Sequence, residues 1–135
     1  MGTWGVKSYE NDDAGDALDA GFDRVHGARY DDLMNDRDPM TFDQVQETLA
    51  DPATLAAALA WLAEEFGPDP DTWDDEAKLA LAGVVVRHAE FGVPVLPEWR
   101  ARAIAALDDE AIAWDEATIR GLRRQKEIAL LRTTS

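Results

Sequence analysis

The sequence predicts an all-α fold: a single compact bundle of about five helices with a pinned N-terminal segment. Three observations carry this prediction. Apolar residues recur at helical spacing, helix-capping residues precede these runs, and glycine with a nearby proline ends two of them. The 135 residues are 46% hydrophobic and 30% charged, a composition that fits one folded domain over residues 1–135.

The first predicted helix follows Asn11, a favourable N-cap residue, with two aspartates suited to the positive end of the helix dipole. The next stretch, residues 26–41, has four aspartates and no sustained period. We predict a long surface loop there, with one short helical turn near residues 30–34. The apolar stripe of the first helix comprises Ala14, Ala17, Leu18, Gly21, Phe22 and Val25.

Later helix boundaries are also marked. Thr41 and Gln44 form a capping box, and Asp51 followed by Pro52 places a cap before a proline at the first helical position. That helix is predicted to end at Gly67. Two more helices are predicted to start at residue 97 and near residue 115.

The segment between residues 68 and 92 predicts the central helix. Thr72 and Asp75 are expected to cap its start, and Gly92 its end. A helix with apolar residues on two sides is covered on two sides, so we place it at the centre of the bundle, with a dimer interface as the alternative. One side carries Trp73, Ala77, Ala80, Leu81, Val84, His88 and Phe91, and the other carries Leu79 and Val86.

Charge is the strongest compositional signal. The chain has 13 basic and 28 acidic residues, a net charge of −15, which repels phosphate backbones and argues against nucleic-acid binding. A protein partner of basic character, or a second copy of the chain, is what we expect instead. The last helix is basic and is expected to pack on its own acidic body, with a docking tail as the alternative.

Several classes of protein and of functional site are disfavoured because the sequence lacks the residues or motifs that they require. It has no cysteine, hence no disulfide framework and no thiolate site, which fits a cytoplasmic location. No apolar run resembles a signal peptide or a membrane span, so we expect no membrane association. Nucleotide-binding motifs and metal-ligand spacings are also missing. We therefore expect no cofactor, no metal and no catalytic residue.

The opening residues MGTWG and then YENDDAGD resemble the start of a bacterial family known as domain of unknown function 4259. The likeness covers about the first twenty residues, and Ala17 stands where the family commonly has a tryptophan. The resemblance implies a small cytoplasmic bacterial protein and implies no activity. The matching positions are Met1, Gly2, Thr3, Trp4, Gly5, Tyr9, Glu10, Asn11, Asp12, Ala14 and Asp16.

Physical reasoning gives this motif a structural role. Glycine on both sides of Trp4 lets the chain reverse and seat the indole between helices, and Tyr9 lies near the hydrophobic-staple position. The alternative is a ligand pocket formed by Trp4, Tyr9, Asp16 and His88. His88 is either a hydrogen-bonded core residue or a general base in a cleft, whereas His26 is expected to be solvated.

The sequence thus favours a non-enzymatic protein–protein interaction module, an acidic helical bundle. One form of this hypothesis is an antagonist of a basic nuclease or DNA-binding protein. The alternative is a small ligand-binding protein or enzyme with a pocket around Trp4, Asp16 and His88. Surplus apolar surface that a partner would cover is expected at Leu79, Val86, Trp61 and Trp114.

Overall fold

A computed structural model describes residues 9, 12–35, 42–109 and 117–133. Over these residues the chain is all-α and has no strand, which confirms the predicted class. The predicted count of about five helices is wrong, because the described ranges hold seven. They are α1 (Asp12–His26), α2 (Ala28–Asn35), α3 (Phe42–Leu49), α4 (Pro52–Phe66), α5 (Asp75–Glu90), α6 (Pro97–Asp109) and α7 (Ala117–Thr133), with a 3-10 turn over Pro70–Thr72.

The start of α4 follows the sequence signal closely. The backbone N–H of Thr54 donates to the Asp51 carboxylate at 2.8 Å, and the Asp51 N–H donates back to the Thr54 hydroxyl at 3.0 Å. This reciprocal capping satisfies donors that the first turn of a helix leaves unpaired. At the other end, Gly67 takes a φ of 114°, a backbone angle that favours glycine.

The predicted N-terminal caps of α5 are wrong by one position or more, whereas Gly92, with a φ of 79°, follows the end of the helix as predicted. Asp74 is the N-cap, and its side chain accepts from the Ala77 N–H at 2.9 Å. Thr72 instead closes the preceding 3-10 turn, which Asp69 caps through the N–H of Asp71. Two aspartates of this stretch, Asp69 and Asp74, therefore serve as successive N-caps, a position at which aspartate is favourable.

The predicted loop over residues 26–41 is wrong in its first half, because residues 28–35 form α2. Tyr30 is buried, stacks on Phe22 of α1 with ring centroids 5.5 Å apart, and donates to the Asp19 carboxylate at 2.8 Å. Gly27, with a φ of 52°, allows the sharp turn from α1 into α2. Docking of one aromatic residue thus stabilises a helix whose own sequence has little apolar periodicity.

Helix α5 lies at the centre of the bundle, as predicted. It contacts α1, α4, α6 and α7, and every residue from Ala80 to Ala89 is buried. Helix α1 crosses α4 so closely at Gly21 that an added Cβ would lie 2.8 Å from the Thr54 carbonyl oxygen. No helix in the described ranges combines the length and the apolar character that a membrane span requires.

The predicted pinned segment, residues 1–10, falls outside the described residues except for Tyr9. Tyr9 is 6% exposed and lies over the guanidinium of Arg87 in α5, at 4.6 Å. Tyr9 therefore packs on the second half of the central helix. The expected roles of Trp4 and of Asn11 lie outside the described residues.

Candidate functional site

His88, the residue most open to a catalytic interpretation from sequence, is fully buried in α5. Its Nε2 lies 2.8 Å from the Thr54 hydroxyl, its Nδ1 lies 3.0 Å from the Val84 carbonyl oxygen, and its ring stacks on Phe22 at 5.9 Å. Burial lowers the pKa of His88 to about 4, although the Val84 carbonyl favours the protonated ring. His88 is neutral near pH 7 and joins α1, α4 and α5.

The other members of the predicted pocket do not gather around His88. Asp16 is exposed on α1 and makes no side-chain contact with His88. Tyr9 approaches the next residues of α5, with its hydroxyl 3.5 Å from the Glu90 carboxylate. Trp4 lies outside the described residues. Among the three that are described, no pair is hydrogen-bonded, so a pocket containing His88 has no support from their contacts.

Polar side chains, of which Arg87 and Gln46 are buried, surround the second half of α5. The guanidinium of Arg87 lies between the rings of Tyr9 and Phe91, 4.6 Å and 4.5 Å from their centroids, and its Nε donates to the Gln46 amide oxygen at 3.0 Å. Arg123 of α7 donates to Glu90 at 2.7 Å. Stacked and hydrogen-bonded in this way, Arg87 connects α5 with Gln46 of α3 and with Tyr9.

The expectation that His26 is solvated is wrong. His26 ends α1, its side chain is 18% exposed, and its Nε2 lies 2.7 Å from the Leu49 carbonyl oxygen. A histidine at the C-terminal end of a helix complements the helix dipole. The contact with Leu49 also connects the end of α1 to the end of α3, whereas a solvated side chain would make no such connection.

The apolar surface predicted for a partner is largely absent from the described residues. Val86 is fully buried, while Leu79 and Trp61 are partly buried against the core. Trp114 lies outside the described residues. The large apolar side chains that are exposed are Val25 at 37%, Leu96 at 63% and Leu122 at 64%, none of which periodicity singled out as surplus.

A groove with a volume of about 250 Å³ lies between the start of α5 and the end of α6. We call it the α5–α6 groove. Leu79, Leu81 and Ala106 form its apolar part, and the ion pair between Arg102 and Asp71 lies at one edge. Its charged lining comprises Asp71, Asp75, Glu76 and Asp109, with Lys78 and Arg102.

Sequence reasoning missed this groove. The acids near the start of α5 were not connected with α6, which follows α5 as the second arm of a helical hairpin. The available signal was the spacing of Arg102, Ala105, Ala106 and Asp109 on one face of α6. Small residues at the middle of such a face allow a neighbouring groove to form.

The described cations are mostly engaged within the molecule. Arg24 holds Glu64 with two hydrogen bonds, which raises the pKa of Arg24 and lowers the pKa of Glu64. Arg102 and Arg123 pair with acids of the 3-10 turn and of α5. As predicted, the basic last helix packs on its own body, against α5 and α6.

Exposed acids therefore remain in excess. Eleven exposed carboxylates have no ion pair and no side-chain hydrogen bond among the described residues, against three exposed basic side chains in the same condition. No group of three or more potential metal ligands occurs in the described ranges. The acids are Asp16, Asp23, Asp31, Asp32, Glu47, Glu65, Asp75, Glu76, Glu98, Asp108 and Asp109, and the bases are Arg29, Lys126 and Arg132.

The class that the fold and this surface define is an all-α protein with a hydrophobic core, a few buried polar side chains and an acidic exterior. Comparisons of the chain with protein-family models, with curated proteins and with solved structures each give no match.

Proposed function

We propose that the protein is a non-enzymatic interaction module that binds a protein partner with a basic surface. The observation that carries this proposal is the excess of unpaired exposed carboxylates over unpaired cations. Such a surface attracts a basic partner over about one Debye length and increases the rate of encounter. Self-association is a weaker explanation, because two copies with a net charge of −15 repel one another.

The competing proposal, a ligand-binding or catalytic pocket around Trp4, Asp16 and His88, has less support. His88 has both ring nitrogens within hydrogen-bonding distance of protein atoms and no exposed surface. A general base must reach the proton that it removes. We therefore favour binding over catalysis.

The biological setting is part of the same proposal. The opening residues support membership of the family known as domain of unknown function 4259, and with it a bacterial cytoplasmic protein. An antagonist of a basic nuclease or DNA-binding protein fits this setting, because a surface rich in carboxylates competes with phosphate for basic side chains.

A capture experiment at two salt concentrations tests the proposal. The full chain is immobilised, exposed to cell extract at about 0.1 M salt and washed at about 1 M salt, where the Debye length falls from about 10 Å to about 3 Å. We expect a basic protein to be retained and then released. An unrelated acidic protein of similar net charge serves as the control. A retained protein that is acidic, or that resists the high-salt wash, would contradict the proposal.

A further inference from the structure

The α5–α6 groove combines an apolar floor with an unneutralised acidic rim. Leu81 and Ala106 are only 2% and 8% exposed, so the floor is continuous with the core. Its volume of about 250 Å³ is below the roughly 300–1,000 Å³ that is usual for small-molecule pockets. A groove of this size suits one or two apolar side chains of a partner better than a cofactor.

The charges around the groove indicate the sign of the charge that an occupant would carry. Asp75, Glu76 and Asp109 are exposed and have no ion-pair partner among the described residues, whereas the one unpaired cation of the lining, Lys78, is partly buried. Asp71 is neutralised by Arg102. The unpaired rim therefore carries three negative charges against one positive charge, which favours a cationic occupant.

The end of α6 adds negative charge beside the groove. Asp108 and Asp109 occupy its last turn, which contains no basic residue. Acids at the negative end of the helix dipole are unfavourable, whereas a cation there is favourable. Asp75 and Glu76, in the first turn of α5, already complement that helix's dipole. The guanidinium of Arg124 in α7 already donates to the Leu107 carbonyl oxygen of this turn, at 3.4 Å, so the two unpaired acids, and not the helix dipole, favour a cationic occupant here.

We propose that the α5–α6 groove is the docking site for a basic segment of the partner protein, one that places an apolar side chain on the groove floor between flanking lysine or arginine residues. This inference rests on the proposed function and names the site where it acts. The recognition mode is that of a partner segment laid in a groove, with apolar anchors for affinity and charges for orientation.

The test uses the full chain and a fluorescently labelled synthetic helical peptide that carries four lysines around one leucine. Fluorescence anisotropy measures its affinity for the natural sequence and for two double variants. Asp75→Asn with Asp109→Asn removes two rim charges. Glu47→Gln with Glu65→Gln removes the same charge from exposed positions on α3 and α4. We expect the groove variant to bind about tenfold more weakly, and the control variant within about twofold of the natural sequence.

A second comparison leaves the protein unchanged, so that misfolding cannot produce the result. Replacing the peptide's leucine by serine removes the apolar anchor, and we expect a weaker complex with unaltered salt dependence. Equal weakening by both double variants would overturn the groove proposal, as would indifference to the leucine. The proposed function stands in either case if the captured partner is still basic and released by salt. Failure of the chain to retain any basic protein or peptide at low salt would instead refute the proposed function.

Discussion

The close crossing of α1 and α4 at Gly21 allows the effect of a Gly21→Ala substitution on the free energy of unfolding to be predicted. A Cβ at this position would lie 2.8 Å from the Thr54 carbonyl oxygen, 2.9 Å from the Ala58 Cβ and 2.9 Å from the Ala58 nitrogen. Overpacking typically costs about 1–3 kcal/mol, and the upper end applies because two of these atoms are backbone. Alanine recovers about 1 kcal/mol of helix propensity over glycine. Gly21→Ala should therefore lower the free energy of unfolding by about 2 kcal/mol.

Gly121 in α7 provides the matched control. No described atom lies within 4 Å of its added Cβ, so Gly121→Ala should raise the free energy of unfolding by about 1 kcal/mol through helix propensity alone. Equilibrium unfolding in urea, followed by tryptophan fluorescence and circular dichroism, measures both changes if the m-values agree. A Gly21→Ala variant as stable as the natural sequence would refute the close packing of α1 on α4.

Three further predictions concern single side chains. The folded-state pKa of His88 is about 4 against an ordinary 6.5. Below pH 6.5 the unfolded chain therefore binds a proton at His88 that the folded state does not, and the free energy of unfolding should fall by about 3 kcal/mol between pH 6.5 and 4. Urea unfolding measured across this pH range should show a smaller decrease for His88→Gln than for the natural sequence. An equal decrease in both would contradict the prediction. Asp51→Ala removes the capping box of α4 and should cost about 1 kcal/mol in thermal or urea unfolding, more than Asp69→Ala, which uncaps only the 3-10 turn. Burial and the Asp19 carboxylate raise the pKa of Tyr30, so the ultraviolet difference between the natural sequence and Tyr30→Phe should show no phenolate until well above pH 10; ionisation at the ordinary pH would refute the docking of α2.

The parts of the fold that the sequence predicted depend on local chemistry. Each correct prediction depends on residues within about one helix length. The structure has the cap at Asp51, the helix end at Gly67 and the apolar residues on two sides of α5. These signals act through a residue's own backbone or its near neighbours. That is why a single sequence suffices to place them.

The parts that were missed depend on distant partners. Helix α2 gains its burial from Phe22, on another helix, and His26 finds its acceptor at Leu49. Nothing within residues 26–35 indicates either contact. Similarly, Val86 looked like surplus apolar surface because periodicity shows which side is apolar but not what covers it. The candidate groove was missed for the same reason, since its lining comes from two helices whose pairing has to be known first.

The enclosure of α5 by four other helices governs how the molecule opens. Outer helices such as α2 can detach and leave the middle of the bundle dry, whereas water reaches the amides of residues 80–89 only when the whole structure comes apart. Hydrogen exchange at those amides should thus report the global stability, and the slowest-exchanging amide group should mark out α5. Any variant that speeds its exchange has weakened the entire protein, wherever on the surface that variant lies.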